Sequence, residues 1–406
     1  MLKKKADGVT LTVWLFTLTY TISYITRINY GAVISEMEAA SGIARSVLSM
    51  ALTGSFFTYG IGQIISGFLG DKISPKRLVS AGLITTVIMN LLIPVCPSPY
   101  LMAAVWCING FAQSLMWPPL VRLMTSLFTD DQYKMATTKV NCGSLYGTII
   151  VYLAAPLIIA LAGWRAVFVF SGVMGIVMLV IWQISAPDVQ AEKRAVGNNG
   201  RSSAKVLFTP VMICIMIAII MQGMLRDGVT NWMPTYISET YNMSNVVSIL
   251  SGVILPLCSV VFMRGASALY QKKIKNPVLC GGVIFGAGAI FALGVYLLSG
   301  VHAAFSIILF ALLTGCMHGV NLCLVCMIPA FFKKYGNVSA ASGVINSCTY
   351  IGSAASIYGI ALLSEMLGWS FTIITWIIIG AAGCLLCLIS AKPFEKEFLS
   401  ESSNSN

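Results

Sequence analysis

The sequence predicts an all-α membrane protein of about twelve spans, and three observations carry that expectation. The first is composition: 57% of the 406 residues are hydrophobic and only 10% are charged, with a mean hydropathy of +0.86. A soluble domain carries about 25% charge, so this chain cannot close into a water-soluble globule. The second is the recurrence, along the whole length, of apolar stretches of about 20 residues, enough to cross the hydrocarbon core as helices. The third is the lack of strand alternation, which leaves helices rather than a barrel to satisfy the backbone in lipid.

The spans fall at 10–34, 46–70, 77–96, 98–127, 132–161 and 165–186, then at 207–238, 245–270, 277–299, 302–332, 338–363 and 367–390. The first follows a basic start, "MLKKKADGVTLTVWLF", that has the look of a signal peptide. No small-residue cleavage site closes it, and Tyr20, Tyr24 and Arg27 lie within it, so a retained span is expected. Between the sixth and seventh spans runs "APDVQAEKRAVGNNGRSSAKV", the longest polar stretch. The organisation expected is a six-helix bundle over 1–186, a linker over 187–206, a second six-helix bundle over 207–390 and a tail over 391–406.

Basic residues set the orientation. One set of loops carries Lys3 to Lys5, Lys72, Lys76, Arg77, Lys134, Lys193, Arg194, Arg201, Lys205, Lys272, Lys273, Lys275, Lys333, Lys334, Lys392 and Lys396. The alternate loops, such as "CPSPY", "SGVH" and "SEMLGWS", are nearly devoid of them. Both termini and the linker are therefore expected on the cytoplasmic side of a cell membrane. The net charge of +11 is topological and calls for no nucleic-acid partner. Asn242-Met243-Ser244 fits a glycosylation sequon on an outside loop, relevant to a eukaryotic source. The twelve cysteines sit within apolar spans, where Cys packs as a small hydrophobe. Two CxxC spacings, Cys323 with Cys326 and Cys384 with Cys387, lack the polar partners of a metal or redox site, so no metal and no cofactor are expected.

In "LTYTISYITRINYG", Arg27 interrupts the first span. A lone guanidinium at that depth costs from about 3 to above 10 kcal/mol and persists where something compensates it. The first span of the second half carries "GMLRDGVTNWMPTYI", with Arg226 at a similar depth. Two parallel halves related by an axis along the membrane normal describe the major facilitator architecture, whose substrate site lies between the halves at mid-membrane. Arg27 and Arg226 are then expected to line one cavity.

After the second span, "GFLGDKISPKR" resembles the major facilitator loop signature, G-x-L-x-D-R/K-x-x-x-R/K. Its Gly67 allows close helix approach, and its Asp71 suits a helix N-terminus and a nearby base. With Lys72 and Arg77 it is expected to serve as a gating hinge. The matching loop of the second half, "RGASALYQKK", has lost the acid, with Leu269 near its place.

Four further stretches resemble the organophosphate:phosphate antiporter family, which includes bacterial carriers of glycerol 3-phosphate and hexose 6-phosphate. They are "YTISYITRINYGA", "NGFAQSLMWPPLVR" (109–122), "NCGSLYG" (141–147) and "LRDGVTNWMPTY" (225–236). The resemblance implies exchange of a phosphorylated small molecule for inorganic phosphate by rocking of two halves in a monomer. It also implies that Arg27 and Arg226 hold the phosphate. The chemistry agrees, since a guanidinium presents a planar donor fork to phosphate oxygens. Arg226 could instead pair with Asp227, but neighbours in a helix point about 100° apart, which argues against that pairing.

Tyr20 and Tyr24 share a helical face with Arg27 and resemble cavity tyrosines of the family. Tyr59 matches a family tyrosine, and Gln63, one turn on, stands where these antiporters usually carry a lysine. Asn109, Gln113 and Trp117 share a face of the fourth span; Asn109 suits helix packing, Gln113 and Trp117 either packing or the cavity. In the stretch from Asn141, Ser144 replaces the family's histidine. His318 stands where a tyrosine is expected, with Asn321 at i+3, and Tyr350 matches a tyrosine of the eleventh helix. Lys139 is expected to snorkel to the cytoplasmic face. The alternatives are a proton- or sodium-coupled organic-anion symporter, with Asp227 and His318 as proton carriers, and a transporter-like organophosphate sensor. No nucleophile–base pair or metal cluster is readable, so an enzyme is not expected.

Overall fold

The computed structural model describes residues 2–43, 45–189, 206–243 and 251–399, and every regular element among them is helical. Most of the expected linker (from 190), Ser244 of the sequon, the head of the eighth span and the tail beyond 399 lie outside the described residues.

The described chain forms two compact units. The first holds α1 (Leu2–Ser41), α2 (Arg45–Gly70), α3 (Pro75–Leu92), α4 (Pro99–Ser114), α5 (Trp117–Leu127), α6 (Asp130–Ala162) and α7 (Trp164–Ser185), together with residues 335–347. The second holds α8 (Pro210–Tyr241), α9 (Ile254–Lys272), α10 (Pro277–Leu297) and α11 (Ala303–Val320), together with the chain from residue 348. The last helical stretch, α12 (Val338–Phe394), is two helices that meet at a turn at Gly368; its first ten residues belong to the first unit and the rest to the second.

Nine described helices are long and apolar enough to cross a membrane. The expected second, fourth and eleventh spans are helical too, but "TGSFFTYGIGQ" and "VSAASGVINSCTY" are diluted with Gly, Ser and polar residues. The fourth span was expected as one helix over 98–127; it is two, broken at Leu115 and Met116. Pro118 and Pro119 have no N–H to donate to the carbonyls one turn back, so they fit only the first turn of a new helix. The tenth span departs from a plain α-helix as well. Beyond Val320 it widens into a π-helix over Asn321–Met327 and then tightens into a 3₁₀ stretch over Ile328–Tyr335. Pro329 cannot donate to the carbonyl of Val325, which breaks the regular ladder there.

The two halves repeat one turn. Gly163 precedes Trp164 with φ 76° and ψ 171°, and Gly368 precedes Trp369 with φ 78° and ψ 173°. Those angles lie in a region that L side chains avoid, so glycine alone reverses the chain there cheaply. In the second half the turn is tight enough that helical geometry runs on through the expected loop at 364–367.

In the first unit α1 packs against α6 and α7, α2 against α4, and α3 against α4 and α7. A polar seam ties α1, α3 and α4. Asn29 donates to Asn90 (2.8 Å), Asn90 donates to the Thr26 carbonyl (3.0 Å), and Asn109 donates to that same carbonyl (3.2 Å). Such bonds contribute on average about 0.6 kcal/mol each in a membrane and fix the register between helices. Trp106 packs between Tyr30, tilted at 5.1 Å, and Phe168, edge to face at 5.8 Å. In the second unit α11 packs against α8, α9 and α10, and Phe310 bridges Tyr236 (5.3 Å) and Trp376 (5.6 Å).

Candidate anion site

Arg27 sits mid-way along α1, half-buried, beneath an aromatic surround. Its guanidinium carbon lies 3.8 Å from the ring centre of Tyr59, 5.5 Å from that of Tyr24 and 5.7 Å from that of Phe56. Tyr24 stands one turn back on α1, and Phe56 and Tyr59 stand one turn apart on α2, so helix periodicity alone builds this surround. Ring faces carry negative quadrupole density and attract the cation without neutralising it. The charge is thus kept on a planar donor fork, the group best suited to grip an oxyanion. Tyr20 extends the surround, with its ring 5.2 Å from Tyr24 and 5.0 Å from Trp117. Phe56 was not legible as part of it, since nothing in its own stretch distinguishes it from a lipid-facing phenylalanine.

Other sequence-derived candidates of the first unit have structural partners. Gln63 is fully buried; it donates to the Ser114 carbonyl (3.4 Å) and accepts from Asn346 (3.0 Å). Gln113 accepts from Ser23 (2.7 Å) and donates to Thr26 (2.9 Å) and Thr86 (3.3 Å), joining the polar seam. Trp117 is buried with no hydrogen-bond acceptor at its indole N–H. Ser144 donates to the Asn141 carbonyl one turn back (2.7 Å), and both are buried on α6. Lys139 is exposed.

In the second unit, Arg226 is half-buried on α8 and grips Asp227. Its Nε reaches Oδ1 at 2.8 Å and an Nη reaches Oδ2 at 2.9 Å. This corrects the expectation that adjacent helical residues would not pair. The 100° offset separates the Cβ atoms, but the arginine stem is long enough to curl across it and set a bidentate contact. Ser353 on α12 donates to Asp227 Oδ2. Ser353 follows Tyr350 by three residues and so shares its helical face, a signal that the stretch "TYIGS" contains. Gly223 on α8 makes the approach possible, because a Cβ there would collide with the Thr349 carbonyl of α12. His318 on α11 lies within electrostatic reach of both Arg226 and Asp227. Tyr350 is buried on α12, and Asn321 accepts from the Cys326 thiol at 3.8 Å.

The loop motif forms a third feature, wholly within the first unit. Asp71 caps the start of α12: its two oxygens accept from the backbone N–H of Ser339 (3.0 Å) and Ala340 (2.8 Å). An N-terminal helix end is a natural seat for a carboxylate. Arg122 on α5 donates to the Gly70 carbonyl beside it. Burial pushes the Asp71 carboxyl up to about 6, against the pull of those two amides and of Arg122. A Cβ at Gly67 would press on the Ser339 carbonyl and the Gly343 and Ala340 Cα atoms, so only glycine admits α12 at this distance. Lys72 and Arg77 are exposed, whereas Lys76 donates to the carbonyls of Gln183 (3.0 Å) and Ala186 (2.9 Å) at the end of α7. Leu269 is half-buried on α9.

Two repeated sets of membrane helices, each with an arginine in its first, define a transporter rather than an enzyme. The chain belongs to the Major Facilitator Superfamily, which it matches over residues 16–357. It is similar to the membrane sensor protein UhpC of Escherichia coli, 23% identical over 93% of this chain and 90% of that protein. It is also similar to a probable hexose phosphate transport protein of Chlamydia muridarum, at 24% identity over 86% and 84%. A glycerol-3-phosphate transporter of Bacillus subtilis is 24% identical over 68% of each chain. Among solved structures, the Escherichia coli fucose:proton symporter FucP shares the fold, with a TM-score of 0.76 over 94% of this chain and 99% of that one at 12% identity.

Proposed function

We propose that this multi-pass membrane protein is a secondary transporter of a small organic anion, most directly a phosphorylated metabolite exchanged for inorganic phosphate. The observation that carries the reading is Arg27: a guanidinium in a membrane helix, set among the rings of Tyr59, Tyr24 and Phe56. The proposed anion ligands are Arg27 and Arg226, the intramembrane arginine of each half. Relatives whose names specify hexose phosphate and glycerol 3-phosphate support the substrate class. Gln63 and Ser144, in place of the lysine and histidine that the antiporters carry, leave the two arginines as the principal anion ligands. The proposed topology puts both termini in the cytoplasm, and the proposed working unit is a monomer.

The test is uptake of labelled phosphate into vesicles reconstituted with the protein, loaded inside with unlabelled phosphate or a phosphate ester. Uptake that needs an internal anion supports exchange. Uptake into anion-free vesicles that grows with an inward proton gradient refutes it. A second reading, a proton-coupled organic-anion symporter, draws on the Arg226–Asp227 pair with His318 nearby, which gives the empty carrier an internal counter-ion. A third, an organophosphate sensor, draws on the likeness to UhpC and would show ligand binding without flux.

A further inference from the structure

We infer that Ser353 is a positioning residue for the substrate anion: through the Asp227 carboxylate it fixes where the Arg226 guanidinium points. The inference rests on the reading above that Arg226 is an anion ligand, and it names what sets that ligand's aim. Every residue involved belongs to the second unit.

An arginine side chain turns about several bonds, so an unrestrained guanidinium samples many directions and loses that freedom when it binds. At Arg226 the freedom is already restricted. Asp227 takes Nε and an Nη of the guanidinium with two bonds of 2.8 and 2.9 Å, which sets both its place and its plane. A carboxylate on the next residue of the same helix could still swing together with the arginine. Ser353 opposes this, because it holds Oδ2 from a different helix, α12. The seryl hydroxyl has one hydrogen and two acceptors within reach, Asp227 Oδ2 and the Thr349 carbonyl one turn back (2.9 Å). The carboxylate is the stronger acceptor, being charged.

The spacing between α8 and α12 is itself fixed. A Cβ at Gly223 would collide with the Thr349 carbonyl, one at Gly352 with the Ile220 carbonyl, and one at Gly228 with the Ser356 hydroxyl. Ser356 also donates to the Met224 carbonyl (2.7 Å). These close contacts hold Ser353 at a constant distance from Asp227, so the chain of restraint runs from the α12 backbone to the guanidinium. Loss of the Ser353 hydroxyl frees one carboxylate oxygen. The ion pair persists, but its direction is no longer tied to α12, and anion binding weakens more than turnover does.

The experiment measures KM and maximal rate for uptake of labelled inorganic phosphate into reconstituted vesicles loaded with phosphate. The proteins compared are the native chain, Ser353→Ala, Ser353→Thr, Asp227→Ala, the double variant Ser353→Ala with Asp227→Ala, and Arg226→Ala, each checked for folding by size exclusion in detergent. Ser353→Ala is expected to raise KM by roughly three- to tenfold, the range of one hydrogen bond to a charged group in a membrane, and to change the maximal rate by less. Ser353→Thr, which keeps a hydroxyl on that face, should return KM to within about twofold of native. With Asp227 already removed, Ser353→Ala should shift KM no further, since Ser353 acts through that carboxylate. If Asp227→Ala has no measurable uptake, the split between KM and rate and the threonine rescue decide. A native KM in Ser353→Ala, an undiminished Ser353→Ala effect in the Asp227→Ala background, or failure of threonine to rescue overturns the inference; loss of uptake in Arg226→Ala then leaves the anion reading standing. Native uptake in Arg226→Ala, or no uptake by the native protein, overturns both.

Discussion

At the scale of single residues, the account turns on what Arg27 does that a simple cation cannot. Its guanidinium carbon lies 3.8 Å from the Tyr59 ring centre, and a lysine there would keep the charge but lose the planar fork. Arg27→Lys is therefore expected to reduce transport by at least about tenfold while the protein still inserts and folds, because two charge-assisted bonds become one. Near-native flux in that variant would show that Arg27 only balances charge. The existence of an intramembrane arginine was plain in the sequence, since a charge stands out from an apolar span. The partners were legible in part. Tyr24 and Tyr20 follow from spacing along one helix, but Phe56 comes from another helix, and its place depends on packing that no local pattern encodes. The Arg226–Asp227 pair is hidden from a reading of backbone direction alone, because side-chain length sets the contact. Gln63 illustrates a further limit: its spacing from Tyr59 suggested a shared face, and the structure gives it Asn346 and the Ser114 carbonyl as partners. Lysine at position 63 would set a charge among those buried groups, so Gln63→Lys is expected to lower the melting temperature in detergent by several degrees. An unchanged melting temperature would show that the site opens to water.

At the scale of elements, proline and glycine decided where helices start, stop and touch. The break before Trp117 could have been foreseen from Pro118 and Pro119, yet hydropathy runs smoothly across it, and hydropathy set the expected span. The π stretch after Val320 had no comparable signal beyond Pro329. The loop motif was legible both in its residues and in its chemistry, because a glycine, an acid and bases at fixed spacing specify close approach and a helix cap. Gly67→Val should abolish transport with normal membrane insertion, since the branched side chain meets backbone of α12 at Ser339 and Gly343. Retained flux would show that α12 can yield at that contact. Asp71 yields a prediction with a sign. Its carboxyl is pushed up from 3.8 to about 6 by burial, so the capped arrangement binds its proton more tightly than a solvated carboxyl does. That arrangement is accordingly stabilised as pH falls from about 6 to about 4, and the gain is lost as pH rises back through that window. In thermal melts the native protein should gain, on the order of a few °C, on Asp71→Asn between pH 6 and pH 4. Parallel curves for the two proteins would contradict it.

At the scale of the whole molecule, composition settled the class and charge asymmetry suggested the orientation, since both are sums over many residues and tolerate local error. The repeat was legible at the arginines, and the structure adds the matched turns at Gly163 and Gly368, which differ too much in their flanking residues to be noticed without backbone angles. What no sum over residues supplies is the direction and coupling of transport, which depend on how easily the empty carrier switches. On the proposed reading, taking a guanidinium out of water without a ligand costs several kcal/mol, and a bound oxyanion offsets that cost. The loaded carrier should then switch much faster than the empty one. The measurement that bears on this most directly is uptake of labelled phosphate into reconstituted vesicles with and without phosphate inside. Rapid uptake is expected into loaded vesicles, near-background uptake into empty ones, and little in either for Arg27→Lys. Equal uptake into empty vesicles, driven by an inward proton gradient and indifferent to Arg27→Lys, would contradict it.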